Sequence, residues 1–251
     1  MMIKIYSNKE INKVKNSCLI VSETINMIKN YIKPNISTGY IDEICNNYII
    51  KKKKSYPAPL NYKGFPKSIC TSVNDTVCHG IPSYNEILNN GDIINIDISV
   101  LKNGFYGDAS KTFIVGKESN YLSKKICYIA KKSLELSIKI LKPGLKIKEI
   151  GNLIQKYVNN NGFYVVREYC GHGIGRKLHE EPFIQHCYNN NNEILKPGMI
   201  ITIEPIINSK SRYIRVMKNG WTVKTIDKGL SAQYENTILI TKNNYEILTN
   251  I

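Results

Sequence analysis

The feature that most constrains this chain is an internal repeat, because a duplicated sequence folds into two similar halves. Residues 33–49 read KPNISTGYIDEICNNYI, and residues 142–158 read KPGLKIKEIGNLIQKYV, with the Lys-Pro start and several apolar positions in common. A second pair follows: residues 88–97 read LNNGDIINID, and residues 195–204 read LKPGMIITIE. Asp97 therefore aligns with Glu204. We predict that each half contributes one carboxylate to a metal site between them.

Size and cysteine content set the class of protein. With 251 residues and no Pro-, Gly- or Ser-rich linker, we predict a single catalytic domain over 1–251, with halves at 10–115 and 121–240. The seven cysteines include no CxxC pair, which argues against a disulfide framework and favours a reducing cytosol. The start, MMIKIYSNKE, has no apolar signal core, and no apolar run is long enough for a membrane span. We expect a soluble, monomeric, cytoplasmic protein.

The formal net charge of +15 has two explanations. The first is that the protein binds a polyanionic partner such as RNA, which attracts a strongly basic surface. Over-use of Lys, Asn, Ile and Tyr, the bias of an AT-rich genome, would also produce the charge, and KKKK at 51–54 has the composition of a solvated surface. We attribute most of the charge to composition, which still leaves room for an acidic partner.

The spacing of apolar residues predicts two helix pairs. In 9–32 they recur at intervals of three and four, starting with Ile11, Val14 and Cys18, which is typical of a helix. A second helix follows around Ile41 to Ile49, and 121–141 and 148–160 repeat the pair. Strands are predicted over 93–100, 105–115, 163–168, 199–207, 221–226 and 234–240. The predicted class is α+β, with helices on one side of a mainly antiparallel sheet.

A predicted hairpin brings two acids together. Asn103-Gly104 is a strong signal for a two-residue turn, and it places Ser99 opposite Asp108. Asp97 then lies diagonal to Asp108 on the same face, and diagonal neighbours are about 7–8 Å apart at the backbone. Converging carboxylates repel unless they are protonated or hold a cation. The alternative is the polar outer face of an exposed hairpin, and the hairpin alone does not decide between them.

Three further residues favour the metal interpretation. Glu204 and Glu235 adjoin apolar strands, where an unpaired carboxylate is costly. His172 lies in CGHGIG, where glycines allow a ligand or backbone to approach closely. Such a set suits two divalent ions such as Mn, Fe(II), Co or Zn and is too oxygen-rich for a structural zinc site. The five candidate ligands are Asp97, Asp108, His172, Glu204 and Glu235.

The remaining histidines and two acids receive other interpretations. His79, in VCHGIP, and His179, in LHEEP, are not needed as ligands, and each could donate a hydrogen bond to a substrate. His186, beside an Asn-rich loop, is predicted to be a surface or structural residue without a role. Glu180 and Glu181 are expected to pack or to support ligands rather than to bind metal.

On these residues the chain resembles the type I methionine aminopeptidases, most closely the short bacterial form. The match runs nearly end to end, through PKSICTSVNDTVCHGIP, GDIINIDISV, GFYGDASKTFIVGK, VVREYCGHGIGRKLHEEP, LKPGMIITIEP and GWTVKTIDKGLSAQYENTI. The resemblance implies the pita-bread fold, in which helices cover a curved, mainly antiparallel sheet and two halves are related by a pseudo-twofold axis. It also implies removal of N-terminal methionine from nascent chains whose second residue is small.

The same resemblance implies roles for the ligands. Asp97 would bind one ion in bidentate fashion, Asp108 and Glu235 would bridge, and His172 and Glu204 would bind the other ion. The ions would be drawn from Co, Fe(II), Mn, Zn and Ni. A water between them would attack the peptide carbonyl, with Glu204 also shuttling a proton.

Substrate contacts are implied too. His79 and His179 would contact the substrate and stabilise the tetrahedral intermediate. Pro59, Lys63, Phe65 and Leu178 depart from residues common in the family, which puts the shape of the methionine pocket in doubt but not the metal site. The residues implied for that pocket are Tyr62, Phe65, Cys70, Leu178 and Trp221. Those implied for a monovalent-cation site are Asn74, Ser231 and the backbone of Thr76.

Other functions fit this sequence less well. Proline-specific peptidases share the fold and two metals, but they usually carry an extra N-terminal domain, and this chain starts almost at the catalytic half. A metal-free amidinohydrolase and non-enzymatic binding proteins of the same fold lack some of the five ligands. A basic RNA-binding module would need an aromatic-studded sheet or a recognisable motif, and neither is present.

A ribosomal partner is a separate expectation, because initiator methionine is removed from nascent chains. Basic residues cluster around the predicted turn Lys218-Asn219-Gly220 and could contact ribosomal RNA near the exit tunnel. Arg215 is expected to point inward and brace the strand of Glu204. The cluster comprises Lys210, Arg212, Arg215, Lys218 and Lys224.

Overall fold

Two helix pairs are present in the computed structural model, which describes residues 3–118 and 120–251. They are α1 (Asn8–Ile28), α2 (Thr38–Asn47), α3 (Tyr121–Lys139) and α4 (Ile147–Asn160). Side chains cap three of the four N-termini, as free N–H groups at a helix start require. Glu10 accepts the Ser7 N–H at 3.0 Å, Ser37 Oγ accepts the N–H of Tyr40 at 3.1 Å, and Asn120 Oδ1 accepts from α3.

The first predicted helix, 9–32, is shorter than expected. It ends at Ile28 and passes into a 3₁₀ turn over Lys29–Tyr31, before Lys33-Pro34. A residue that precedes proline is driven out of the helical region, so the chain leaves the helix here. α2 continues in a wider π-type turn over Tyr48–Lys52, and a short 3₁₀ turn covers Tyr62–Gly64.

The strands are short except for one hairpin. They are β1 (Tyr56–Pro57), β2 (Cys70–Val73), β3 (Thr76–Cys78), β4 (Ile93–Lys102), β5 (Phe105–Ile114), β6 (Tyr164–Val165), β7 (Gly171–Gly173), β8 (Glu180–Ile184), β9 (Ile200–Ile203), β10 (Ile206–Asn208), β11 (Ile214–Val216), β12 (Val223–Thr225), β13 (Ser231–Gln233), β14 (Asn236–Ile240) and β15 (Tyr245–Ile247). Predicted strands 163–168 and 221–226 are thus reduced to β6 and β12. Several two- to five-residue strands had no periodic signal and were not predicted.

The strands form four sheets in the described residues. Their orders are β1-β4-β2 with β5 on β4, β13-β10-β6, β11-β12-β3 and β15-β14-β9-β7-β8. The strand pairs within these sheets are antiparallel, which confirms the predicted strand direction.

One predicted strand is broken in the middle, and another begins later than predicted. Segment 199–207 divides into β9 and β10 at Glu204-Pro205, and segment 234–240 gives β14, with β13 separated from it by Tyr234-Glu235. β9 pairs with β14, and β10 pairs with β13, in different sheets. Pro205 has no N–H to continue a ladder, while Glu235 donates its N–H sideways to Ser110 O of β5 at 2.9 Å. A two-stranded ribbon therefore bends from one sheet to the next at the two glutamates.

The apolar core follows the repeat. α1 and α2 bury residues such as Val21, Ile25 and Ile41 against Ile96 and Ile98 of β4. In the second half, buried residues of α3 and α4 pack against β9 and β14 in a separate cluster. A fully buried isoleucine contributes roughly 1.5–3 kcal/mol, so these contacts hold the acid-bearing strands in place.

Within the described residues, none of the helices combines the length and the apolar character that a membrane crossing requires.

Candidate metal centre

The β4–β5 hairpin has the predicted register. Lys102 pairs with Phe105, Ser99 with Asp108 and Asp97 with Ser110, which places Asp97 diagonal to Asp108. Ser99 Oγ donates to Asp108 Oδ1 at 2.9 Å. Asp108 is only 5% exposed, so the alternative of an exposed polar hairpin face is wrong. The acidic face of this hairpin points into the protein.

Glu204 is held by groups on three elements. Its Oε1 accepts from Thr202 Oγ1 at 3.0 Å, and its Oε2 accepts from Gln233 Nε2 at 3.2 Å. Its own N–H donates to His186 Nε2 at 3.2 Å. The carboxylate at the first break of the bent ribbon is therefore fixed in orientation.

Glu235, at the other break, is almost fully buried, and its Oε1 has no hydrogen-bond partner among residues 3–118 and 120–251. A buried oxygen without a partner is costly. Such an oxygen is explained when a cation occupies the space in front of it.

His172 faces these acids from β7. Its Nδ1 lies 3.0 Å from Gly173 O, so Nδ1 carries the proton and Nε2 keeps a lone pair. Nε2 lies 3.5 Å from Glu204 Oε1 and 3.9 Å from Asp108 Oδ2. Ligand atoms of His172, Asp108 and Glu235 all fall within 4.8 Å of one another.

The glycines beside His172 allow backbone to approach closely, as predicted. A Cβ on Gly171 would lie 2.3 Å from Thr202 O, and one on Gly173 would lie 2.3 Å from Glu181 O. Side chains at these positions would push β9 and β8 away from β7. The imidazole would then lose its place among the carboxylates.

Burial dominates the electrostatics of the cluster. It raises the pKa of Asp97 to about 7 and that of Glu204 to about 8, with the charge of Asp97 adding to the rise at Glu204. The pKa values of Asp108 and Glu235 are raised well above normal, first by burial and then by the other acids. Burial lowers the pKa of His172 to about 3. Four mutually repelling carboxylates and a neutral imidazole fit a divalent-cation site, because a cation offsets both burial and repulsion.

His79 and His179 flank this cluster. His79 has a left-handed backbone, with φ of 53°, a conformation that costs a non-glycine residue of order 1–3 kcal/mol and is common at functional sites. Its ring meets Tyr169 edge-on at 5.3 Å, and burial lowers its pKa. His179 Nδ1 is 3.0 Å from Tyr62 Oη, and its ring lies 4.4 Å from that of His172. The pKa of His179 is lowered to about 4, mainly by burial and further by electrostatic repulsion from His79 and Lys63.

One cavity of about 310 Å³ contacts all of these groups. Both histidines and the five predicted ligands line it. So do the five residues predicted for the methionine pocket, with Phe65 and Trp221 edge to face at 5.2 Å, and the two departures Pro59 and Lys63. The lining residues that were not predicted as site residues are Ser99, Glu168, Tyr169, Cys170 and Phe183. Glu168 to Cys170 lie just before His172 in the chain, and that adjacency was the one available signal for them.

The residues predicted for a monovalent cation are also neighbours. Ser231 N–H donates to Asn74 O at 2.8 Å, and Ser231 Oγ is buried without a partner in the part of the chain that the structure describes. The Asn74 side chain is already occupied, since it donates to Asp92 at 2.7 Å and accepts from Ile93 at 3.0 Å. Thr76 is buried on the adjoining β3.

The structure decides two predictions about single residues. His186 is the structural histidine of the two alternatives, because it is buried and its Nε2 accepts the Glu204 N–H. The prediction for Arg215 is wrong: this residue is exposed on β11 and does not brace the strand of Glu204, because β11 pairs with β12 in a different sheet. Glu180 accepts from Tyr6 Oη and Glu181 accepts from Phe183 N–H at 3.3 Å, contacts that suit packing roles.

Comparison with known proteins adds sequence and fold relatives. The model of metallopeptidase family M24 matches residues 12–242. The methionine aminopeptidase of Buchnera aphidicola subsp. Schizaphis graminum is 57% identical over 245 residues, covering 98% of this chain and 93% of that protein.

Solved structures agree with this. A crystal structure of methionine aminopeptidase from Rickettsia prowazekii superposes with a TM-score of 0.96 at 43% identity, covering 99% of this chain and 100% of that one. The prolidase from Pyrococcus furiosus gives a TM-score of 0.76 at 23% identity, covering 98% of this chain and 65% of that one, a likeness of fold alone.

Proposed function

Since this chain belongs to metallopeptidase family M24 and groups there with the methionine aminopeptidases, it is a metal-dependent hydrolase that removes N-terminal methionine, and we propose that the cavity described above is its active site. The observation that carries the proposal is the convergence of four acids and His172 on one cavity, with Oε1 of Glu235 left without a partner among the described residues. The fold is the pita-bread fold of this family.

The metal would be held by the five predicted ligands. Asp97 and Asp108 project from the hairpin, Glu204 and Glu235 from the bent ribbon, and His172 offers the Nε2 lone pair. We propose two divalent ions here, with Asp108 and Glu235 shared, because four carboxylates carry more negative charge than one divalent ion offsets. Bound ions of this kind lower the pKa of a water and polarise a carbonyl.

The remaining proton chemistry is assigned to three side chains. Glu204 is oriented by Thr202 and Gln233, and burial raises its pKa, so it can take a proton from the attacking water and return it to the leaving amine. His79 and His179 are neutral because burial lowers the pKa of each. We assign the Tyr62 hydroxyl as the donor to Nδ1 of His179, which leaves the proton on Nε2, where it can be donated to the substrate carbonyl oxygen as negative charge develops there.

The apolar side of the cavity would hold the methionine side chain. Phe65 and Trp221 form an edge-to-face wall, with Cys70, Leu178 and the ring of Tyr62 completing it. Aromatic and sulfur contacts favour an unbranched thioether. We propose that the second residue must be small, because the acids and both histidines crowd the same 310 Å³.

The location and partners of the chain remain part of the proposal. All seven cysteines are free in the described residues, which supports a reducing compartment such as the cytoplasm, and we propose that the protein acts there as a monomer on nascent chains. Ser231 Oγ and the Asn74 and Thr76 backbone would hold one monovalent cation.

A ribosomal contact is proposed through a revised set of residues. Lys224 pairs with Asp75 at 2.9 Å and Arg212 lies 3.9 Å from Glu168, so these two cations are partly neutralised. Lys210, Arg215 and Lys218 are exposed, and we assign the contact with ribosomal RNA phosphates to them.

A peptide assay with defined metals tests the proposed function. Met-Ala-Ser should be cleaved, whereas Met-Lys and Met-Phe peptides and Ala-Pro-Ala should not. The last peptide is the control for proline-directed activity, which the shared fold with prolidase makes the natural competitor. Comparable rates on Met-Ala-Ser and Met-Phe would contradict the small-residue requirement, and cleavage of Ala-Pro-Ala alone would overturn the assignment.

A further inference from the structure

Residues 174–180 form a turn that carries His179 at the edge of the cavity. The turn leaves β7 after Gly173, the residue that follows His172, and enters β8 at Glu180. Leu178 is buried within it, Arg176 and Lys177 are exposed, and His179 is exposed at the open cavity that it lines. Backbone hydrogen bonds hold the start of the turn, with Ile174 N–H donating to Ile200 O at 3.1 Å and Tyr106 N–H donating to Gly175 O at 2.8 Å. The part nearer His179 is held by side-chain contacts to Arg176 and Glu180.

The segment before α1 packs against this turn through Tyr6. The ring is 4% exposed and fills the space beside Gly175, where a Cβ would lie 2.2 Å from the ring. Tyr6 N–H donates to Gly198 O at 2.9 Å, just before β9. The residue is therefore anchored to the second half of the molecule while it precedes the first helix of the first half.

The hydroxyl of Tyr6 joins the two sides of the turn. It accepts the Arg176 N–H at 2.9 Å and donates to the Glu180 carboxylate. These two contacts lie on either side of His179 in the chain. One oxygen atom thus fixes the spacing between the backbone that leads into His179 and the residue that follows it.

A second contact supports the same geometry from outside. Glu10 accepts from Arg176 Nη2 at 2.9 Å and from Nε at 3.1 Å, and the same carboxylate caps α1 at Ser7. Both bonds from Arg176 reach the single oxygen Oε1 of Glu10, while Oε2 accepts from Ser7. On the cavity side, Tyr62 Oη contacts the ring of His179 itself.

We propose that Tyr6 is a positioning residue for the reaction: its hydroxyl braces the 174–180 turn and thereby aims the His179 ring into the cavity. The inference rests on the proposed role of His179 in substrate contact. It assigns to the segment preceding α1 a share in catalysis, although that segment does not line the cavity.

The alternative is that Tyr6 only fills core volume. Tyr6→Phe distinguishes core filling from positioning, because it keeps the ring beside Gly175 and removes only the hydroxyl. Tyr56→Phe is a matched control: Tyr56 is exposed, donates its hydroxyl to Leu60 O at 2.9 Å and does not line the cavity.

The test is a double-mutant cycle with His179→Ala on the metal-loaded enzyme, using Met-Ala-Ser. Tyr6→Phe removes the hydrogen bond from Arg176 N–H and the one to the Glu180 carboxylate, and it should lower kcat about 3- to 10-fold, with KM within about twofold and bound metal unchanged. In the His179→Ala background the same substitution should cost nothing further, because coupled residues are not additive. Amide hydrogen exchange of Tyr6→Phe should rise over 174–180 and stay unchanged in β4 and β5. Tyr56→Phe should match the unmodified protein in each measurement.

Each other outcome is decisive. The proposed role of Tyr6 is overturned if kcat is unchanged in Tyr6→Phe, or if Tyr6→Phe lowers kcat equally with and without His179→Ala. The proposed role of His179 is unaffected by either result. Faster exchange throughout the chain would mean general destabilisation and would also overturn the proposed role of Tyr6. If His179→Ala itself keeps full activity, the proposed role of His179 fails, and the brace fails with it.

Discussion

The two acid pairs of this protein are built in different ways. Asp97 and Asp108 lie on β4 and β5, two uninterrupted ten-residue strands joined by an Asn-Gly turn. Glu204 and Glu235 lie where strands are interrupted, at the bend of a ribbon that leaves one sheet and enters another. The first pair is placed by local periodicity, and the second by a break in periodicity that only packing can stabilise.

The comparison also extends to what holds each pair. Asp108 takes a hydrogen bond from Ser99, its direct cross-strand neighbour. Glu204 is held by Thr202 beside it, by Gln233 across the ribbon and by the remote His186. A bend provides less regular support than a hairpin, so the second pair needs partners from more elements.

The largest expected effect comes from removing one acid from each pair. Asp108→Ala and Glu235→Ala should each lose bound metal and reduce kcat/KM by more than about 100-fold, since removing even outer partners of a metal ligand costs 10–100-fold. Metal analysis and peptide kinetics measure this. Full metal content with normal turnover in one variant alone would show that its half does not contribute to the site.

The next effect concerns the histidines, one from each half. His79→Ala and His179→Ala should keep their metal and lose rate on the order of 10²-fold, as expected when a positioned hydrogen-bond donor is removed. The measurement is kcat alongside metal content. Loss of metal in either variant would make that histidine a ligand rather than a substrate contact.

A smaller effect should distinguish the supports of the two pairs. Ser99→Ala removes a side-chain partner of Asp108, and Gln233→Ala removes one of several partners of Glu204. We expect each substitution to weaken metal affinity by roughly 10-fold, the lower end of the range for removing a residue that hydrogen-bonds a metal ligand. Titration of the metal-free protein with Mn or Co measures it. An unchanged affinity in Gln233→Ala beside a weaker affinity in Ser99→Ala would show that the bent ribbon is the more redundantly supported of the two.

The smallest effect is expected away from both pairs. Charge reversal at Lys210, Arg215 and Lys218 should weaken ribosome co-sedimentation and lower its salt slope by about one for each phosphate that is no longer neutralised, while peptide turnover stays normal. Reversal at the exposed Lys51, Lys52 and Lys54 is the control with an equal change in net charge. Equal weakening by both variants would show that co-sedimentation depends on the overall net charge and not on these three residues.

Much of the first half was determined by sequence alone. The Asn-Gly turn and the alternation of β4 predict the register that puts Asp97 diagonal to Asp108, because both rules involve residues close in the chain. The duplication predicts a pair of helices in each half, and the long motifs identify the family. Rules that depend on nearest neighbours can be applied without knowing the rest of the molecule.

Tertiary structure decided the rest. The strand predicted over 199–207 breaks at Glu204-Pro205, because Pro205 cannot extend a ladder, and the strand predicted over 234–240 begins only after Glu235, whose N–H donates to Ser110 O of the first half. His186 became a buried partner of Glu204, Arg215 an exposed residue, and Tyr6 a contact of the turn that carries His179. The contacts of Glu235, His186 and Tyr6 join groups more than 15 residues apart in sequence that meet only once both halves have packed, and the local pattern of the chain does not determine such contacts.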